Sequence, residues 1–165
     1  MGVGKSTVGR RLAGTLRMPF RDADAEIEAA AGRSVSEIFD DLGETEFRAG
    51  EHRVIRRLLQ GQPVVLATGG GAYLHEGTRA LMRQKAVTVW LKAPVEVLAE
   101  RATRRDTRPL LRGQDPLAVL GGLAAARYPI YAEADLVVET GGGAHREAVA
   151  AVIEALKRHY AEAMA

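Results

Sequence analysis

The chain has 165 residues, of which 47% are hydrophobic and 27% charged, and it contains no cysteine. This length and apolar content predict a single folded domain over residues 1–165 and argue against intrinsic disorder. The lack of cysteine excludes disulfides, a thiolate nucleophile and cysteine-ligated zinc or iron–sulfur centres. No apolar run approaches the ~18 residues of a membrane span, and no leader pattern opens the sequence. We therefore expect a cytoplasmic protein without a membrane partner.

The formal net charge is only +2, and just four of the 23 basic residues are lysines. Arginine binds planar carboxylate and phosphate groups through two parallel hydrogen bonds. A nucleic-acid partner is the first alternative that so many arginines raise. Acidic residues are spread along the chain, however, and only 5% of the residues are aromatic. The composition therefore favours small anionic ligands and predicts no nucleic-acid partner.

Apolar residues at helical spacing alternate with short apolar runs bounded by Gly and Pro. Predicted helices begin near Lys5 and, with a capping-box pattern, at Ser34, and others cover about residues 24–31, 44–59, 76–83, 94–104, 117–128 and 145–160. Predicted strands cover about residues 18–22, 64–67, 86–91 and 136–139. Residues 105–116 are polar and irregular. The alternation predicts an α/β fold with a parallel sheet and helices on both faces.

The first predicted helix opens on the end of the phosphate-binding pattern G-x-x-x-x-G-K-[ST], formed here by Gly2, Val3, Gly4, Lys5, Ser6 and Thr7. Backbone N–H groups at such a helix start converge on an anion. Lys5 adds positive charge at the β- and γ-phosphates, and the Ser6 hydroxyl is placed for Mg²⁺. The alternative is a chance Gly-Lys-Ser, against which the apolar helical stripe that follows argues. The first Gly of the pattern would fall before Met1.

Two carboxylates, Asp22 and Asp24, lie at the end of the first predicted strand, where α/β proteins bind ligands. A spacing of two places both on the same side of a strand. One is then expected to serve the metal and the other to accept a hydroxyl proton. The alternative, an Asp helix cap followed by a solvated charge, stays open on the pattern alone.

Two Thr-Gly-Gly-Gly segments each follow a predicted strand, at residues 68–71 and 140–143. Three glycines in that place indicate backbone laid against a ligand. The local pattern does not choose between the two segments, and a plain turn is the simpler interpretation of the second. The four histidines show no metal-ligand spacing and are interpreted as surface or packing residues: His52, His75, His145 and His159.

Three arginines stand out by position. Arg48 and Arg127 are isolated on predicted helices, where each taken alone is typical of a surface charge. Arg108 lies in the irregular segment, which would act as a lid if it closes on phosphates. A solvated loop is the alternative.

In this order, the Gly-Lys-Ser-Thr loop, Asp22-x-Asp24, Phe47-Arg48, the first glycine triplet, Arg108-Pro109-Leu110-Leu111 and Arg127 resemble the shikimate kinase family over residues 1 to about 160. The resemblance implies a P-loop fold of the nucleoside-monophosphate-kinase type. It also implies transfer of the γ-phosphoryl group of MgATP to the 3-hydroxyl of shikimate, on the route to chorismate and aromatic amino acids.

The resemblance also implies roles for individual residues. Asp24 would be the catalytic base, Asp22 a carboxylate near Mg²⁺, and Arg48 and Arg127 the ligands of the substrate carboxylate. The remaining implied ligands are Gly69, Gly70 and Gly71 in the shikimate pocket, Arg101 against adenine with Arg104 and Arg105 as alternative registers, Arg108 at the γ-phosphate, and Phe39 and Phe47 beside the substrate ring. The substrate subregion would cover about residues 23–51 and the lid about 103–115, and a monomer is expected.

Family members carry a strand and Gly-x-Met before this loop, so Met1 is expected to correspond to that internal methionine, with the first strand missing. Two other hypotheses remain. One is a related kinase such as a gluconate kinase, against which the paired arginines and Asp22-x-Asp24 argue. The other is a non-catalytic nucleotide- or ligand-binding protein.

Overall fold

The structure is a computed structural model that describes residues 3–103, 115–141 and 143–165. The elements along these residues are α1 (Lys5–Leu16), β1 (Phe20–Asp22), α2 (Ala23–Ala31), α3 (Val35–Leu59), β2 (Val65–Ala67), α4 (Gly70–Leu74), α5 (Glu76–Lys85), β3 (Val89–Lys92), α6 (Val95–Thr103), α7 (Pro116–Tyr131), β4 (Leu136–Glu139) and α8 (His145–Ala163). The predicted strands and long helices are confirmed. The short helix α4 falls where the sequence predicted only a glycine segment. Across the described residues, no helix is long and apolar enough to cross a membrane.

The chain divides into two compact units, one formed by Gly9–Val87 and the other by Met1–Val8 with Thr88–Ala165. In the first unit β1 and β2 pair in parallel, with Asp22 opposite Ala67. Parallel pairing brings the carboxyl ends of both strands to the same edge. The segments that follow these strands, the start of α2 and the first glycine triplet, therefore begin side by side.

Helix α3 bends at one glycine and so carries two differently directed segments. Ser34 and Glu37 form a reciprocal capping box at its start. Gly43 has φ 76° and ψ 173° inside the helix, a left-handed conformation that glycine adopts without steric cost. Before the bend, Ile38 packs with Ile27 of α2 in an apolar core that also contains Phe47. The core thus fixes the second segment, which bears most of the charged residues of the candidate site.

In the second unit β3 and β4 also pair in parallel, with Val89 opposite Leu136. Hydrogen bonds between Thr88 and Asp135 join β3 and β4 where the two strands begin. The Asp135 carboxylate accepts hydrogen bonds from the Thr88 N–H at 2.7 Å and from its hydroxyl at 2.6 Å, and the Asp135 N–H donates to the Thr88 hydroxyl at 2.9 Å. Burial acts to raise the pKa of Asp135, but the hydrogen bonds from Thr88 outweigh it, and the pKa lies below its ordinary value.

We expect Asp135→Ala to lower the free energy of unfolding at neutral pH by about 1 kcal/mol, because the Thr88 groups lose their acceptor. A carboxyl whose folded pKa lies below its ordinary value of 3.8 stabilises the fold above that pH, and the contribution is lost as pH falls through the folded pKa. Urea unfolding of both proteins at neutral pH and at about pH 3 measures the difference. A loss of equal size at both pH values would contradict this role.

Candidate active site

The start of α1 has the backbone of an anion-binding loop. Gly4 has φ +83°, and its carbonyl oxygen accepts the first helical hydrogen bond from the Val8 N–H at 2.9 Å. A Cβ at Gly4 would lie 2.9 Å from Nε2 of His145. The dihedral angle therefore favours glycine here, and a Cβ would also require the His145 ring to shift. Lys5 and Ser6 follow in the first turn, as the sequence predicted, whereas Gly2 lies outside the described residues.

A cleft of about 210 Å³ is lined by Val3 of this loop and by residues of the second unit. Arg101 reaches it from α6, and its Nη2 donates to the Gly141 carbonyl oxygen at 3.4 Å. Thr140 and Gly141 belong to the second Thr-Gly-Gly-Gly segment, and His145 begins α8 on the same wall. The segment therefore lines this cleft, and its interpretation as a plain turn stays a prediction.

Asp22 and Asp24 do not share the face of a strand. The strand β1 ends at Asp22, whose Oδ1 accepts a hydrogen bond from the Asp24 N–H at 3.1 Å and so caps α2. Asp24 lies in the first turn of that helix and is exposed. The argument from strand alternation is thus wrong, and the helix-cap alternative holds for Asp22. Asp24 nevertheless lies at the edge where the two strands end.

Arg48 is an anchored guanidinium with 19% of its side chain exposed. Its Nη1 donates to Oε2 of Glu51 at 2.6 Å, and its Nε lies 3.4 Å from Oε1 of Glu44. The Phe39 and Phe47 ring centroids lie 5.7 and 5.1 Å from its Cζ, within the range of cation–π attraction. The interpretation of Arg48 as an ordinary surface charge is therefore wrong.

Phe47 packs against Arg48 and Phe39 and is itself buried. Only 3% of the residue is exposed, and its ring centroid lies 4.3 Å from that of Phe39. A ring so deeply buried offers almost no surface to a ligand. That both rings flank the substrate stays a prediction; Phe47 is buried, whereas Phe39 is half-buried.

The first glycine triplet lies against three charged side chains. A Cβ at Gly71 would overlap the Arg48 guanidinium. A Cβ at Gly69 would lie 3.5 Å from Oδ1 of Asp24 and 3.8 Å from Oε1 of Glu51. The structure thus brings together Asp24, Arg48 and the glycine backbone, which the sequence predicted as parts of one pocket.

Glu51 is the member of this group that the sequence analysis missed. It is 1% exposed, and its carboxylate is held by Arg48. Burial raises the pKa of Glu51; the hydrogen bond and positive charge of Arg48 oppose this rise, and the nearby Asp24 adds to it. The net effect is a raised pKa. The spacing of three residues between an arginine and an acid on one helix is the signal that could have found the pair.

Two arginines of the predicted site remain, one in the second unit and one outside the described residues. Arg127 lies half-buried on α7, in the second unit, whereas Arg48 and Asp24 belong to the first. Arg108 and residues 104–114 of the predicted lid lie outside the part of the chain that the structure describes. Their roles stay predictions.

Comparison with known proteins gives a consistent family. A family model described as shikimate kinase matches residues 1–157. The shikimate kinase of Caulobacter vibrioides (strain NA1000 / CB15N) is 63% identical over 161 residues, which cover 98% of this chain and 80% of that relative. The shikimate kinase of Zymomonas mobilis is 54% identical over 158 residues, covering 96% of this chain and 90% of that relative.

Comparison with solved structures indicates the same family as the sequence matches. A shikimate kinase from Acinetobacter baumannii, described in complex with shikimate, has a TM-score of 0.88 at 38% identity, covering 96% of this chain and 89% of that one. A gluconokinase from Sinorhizobium meliloti has a TM-score of 0.63 at 20% identity, covering 96% of this chain and 87% of that one, and shares the fold alone. These neighbours confirm the predicted α/β fold of the nucleoside-monophosphate-kinase type. By sequence match and by structure, the chain belongs to the shikimate kinase family.

Proposed function

We propose that this protein transfers the γ-phosphoryl group of ATP to the 3-hydroxyl of shikimate, forming shikimate 3-phosphate on the route to chorismate and aromatic amino acids. The observation that carries the proposal is the grouping of Arg48, Asp24 and the glycine backbone of residues 69–71 in one place. An anchored guanidinium, a carboxylate and close-approaching backbone suit a small acid that also carries hydroxyl groups.

The acceptor end of the reaction rests on Arg48 and Asp24. Glu51 holds Nη1 of Arg48, and Nε and Nη2, which lie 3.4 Å from Oε1 of the exposed Glu44, bind the substrate carboxylate when it replaces that of Glu44. Asp24 accepts the proton of the attacking hydroxyl as general base. Gly69, Gly70 and Gly71 let the substrate ring approach the backbone. The resemblance assigns Arg127 to the same carboxylate, and this role is part of the proposal.

ATP is proposed to bind at the start of α1 and in the cleft beside it. The backbone of Val3, Gly4 and Thr7 holds the phosphates, Lys5 neutralises charge on the β- and γ-phosphates, and Arg101 lies against adenine, which a planar guanidinium can stack upon. Arg108 is proposed to reach the γ-phosphate from a lid over about residues 103–115. Catalysis is then mostly positioning and charge stabilisation.

Mg²⁺ is the metal that we propose for this site. Among the described residues, no group of three His, Cys, Asp or Glu side chains could hold a metal alone. In kinase sites Mg²⁺ takes one or two protein ligands together with waters and substrate phosphates. The hydroxyl of Ser6 and the carboxylate of Asp22, both oxygen donors, fit that ligand set. When bound, the ion neutralises charge on the phosphates.

We further propose a monomer that acts in the cytoplasm without nucleic-acid or membrane partners. A coupled ADP-release assay with shikimate, gluconate and nucleoside monophosphates tests the whole proposal. We expect turnover with shikimate alone. Turnover with gluconate would favour the related kinase, and nucleotide binding without turnover on any acceptor would favour a non-catalytic binding protein.

Asp24→Asn should lower kcat at least ~10²-fold, because asparagine keeps the size of the side chain but does not take a proton. The Tm should stay near that of the native protein, since Asp24 is exposed. The exposed Asp40→Asn is a matched control that removes one negative charge elsewhere in the same unit and should keep native turnover. Near-native kcat in Asp24→Asn would show that Asp24 is not the base.

Gly71→Ala should raise the KM for shikimate about tenfold, since the added methyl overlaps the Arg48 guanidinium and a hydrogen bond to a charged group is worth about 1.5–3 kcal/mol. The KM for ATP should change less than about twofold. Gly14→Ala is the matched control, because nothing lies within 4 Å of its added Cβ, and the exposed helical site should gain up to about 1 kcal/mol of stability. Steady-state kinetics with an unchanged shikimate KM in Gly71→Ala would contradict the contact.

A further inference from the structure

Two histidines and one buried hydroxyl form a cluster in the first unit that the proposed chemistry does not use. Thr78 on α5 is 0% exposed. Its Oγ1 lies 3.1 Å from Nδ1 of His52 on α3 and 3.0 Å from Nδ1 of His75. The Thr78 N–H also donates to Nδ1 of His75 at 3.2 Å, so that His75 caps α5. His52 is half-buried and His75 is exposed, so both remain surface or packing residues, here with defined hydrogen-bond partners.

The hydrogen-bond distances indicate which group donates and which accepts in the contacts that link His52, Thr78 and His75. Because Nδ1 of His75 accepts the Thr78 N–H, it carries no proton, and the proton of that ring lies on Nε2. If the Thr78 hydroxyl donated to His52, no proton would lie between Oγ1 and Nδ1 of His75. The arrangement that places a proton in both contacts is His52 Nδ1–H to Thr78 Oγ1, and Thr78 O–H to His75 Nδ1, whose one lone pair is then shared by the Thr78 hydroxyl and N–H. Burial, with help from the positive charge of Arg56, lowers the pKa of His52, which favours its neutral ring.

The cluster joins the two elements that carry the candidate site. His52 directly follows Glu51 on α3, and His75 ends α4, the helix that begins at Gly70. Arg79 of α5 holds the same end of α4, since its Nη1 donates to the carbonyl oxygens of Tyr73 at 3.1 Å and Leu74 at 3.3 Å. The cluster therefore ties α3 to the junction of α4 and α5.

We propose that Thr78 is a positioning residue for the acceptor site. Through its hydrogen bonds to His52 and His75 it holds α4 against α3. The Gly71 backbone thereby stays next to the Arg48 guanidinium. This inference rests on the proposed function, because the substrate affected is the acceptor that Arg48 binds. Thr78 touches no reacting atom. Its loss should therefore act on acceptor binding and leave the nucleotide end of the reaction unchanged.

Kinetics of three variants test the role. Thr78→Val removes the hydroxyl at nearly constant shape and should raise the KM for shikimate about three- to tenfold, with the KM for ATP and kcat changed less than about twofold. Thr78→Ser restores the hydroxyl and should restore the KM. The control Thr88→Val removes another buried threonine hydroxyl, in the second unit, and should lower the Tm without changing either KM. An unchanged shikimate KM in Thr78→Val, or an equal rise in both KM values, would overturn the proposal.

Nitrogen-15 NMR of the histidine rings in the native protein gives a readout that does not depend on activity. We expect His52 in the Nδ1–H form and His75 in the Nε2–H form near neutral pH. The opposite forms, or averaged signals like those of free imidazole, would overturn the bridge even if Thr78→Val fails to fold. A native protein that shows these forms but does not phosphorylate shikimate would instead refute the proposed function.

Discussion

The ion pair between Arg48 and Glu51 is the interaction on which the acceptor site depends. Glu51 is 1% exposed, and the distance from its Oε2 to Nη1 of Arg48 is 2.6 Å. Removing one partner of a buried pair leaves an uncompensated charge and costs about 3–5 kcal/mol, so neither side chain is free to leave. A flexible arginine loses rotamer freedom when it binds a ligand. Here that freedom is already lost on folding, which prepares the guanidinium for a carboxylate.

The backbone around the Arg48 guanidinium leaves room for this fixed charge. Parallel pairing of β1 and β2 starts α2 and the glycine triplet from one edge, and the bend of α3 at Gly43 directs its second segment separately from the first. Gly71 then meets the guanidinium where any side chain would overlap it. The capping histidine His75 and Thr78 hold the other end of α4. The need for glycine at position 71 is thus explained by the position of the Arg48 guanidinium.

Much of this arrangement could be predicted from the sequence, because strand ends, glycine runs and helix starts are local patterns. The α1 loop and the strands follow from them, whereas the grouping of Asp24 with the first glycine triplet came from the resemblance to the shikimate kinase family. One error has a local cause, and the others have tertiary causes. The helix α2 begins directly after Asp22, which ends the strand alternation that was extended to Asp24. Glu51 and Thr78 matter because of burial and of partners on other elements, and spacing along one chain does not reveal these.

A double-mutant cycle on shikimate affinity tests the central claim that Glu51 acts by holding Arg48. Isothermal titration calorimetry would compare the native protein, Glu51→Gln, Arg48→Met and the double variant. We expect Glu51→Gln to weaken the Kd about tenfold in the native background and less than about twofold once Arg48 is gone. Losses that simply add would contradict the claim, since they would show that the two residues contribute to binding independently.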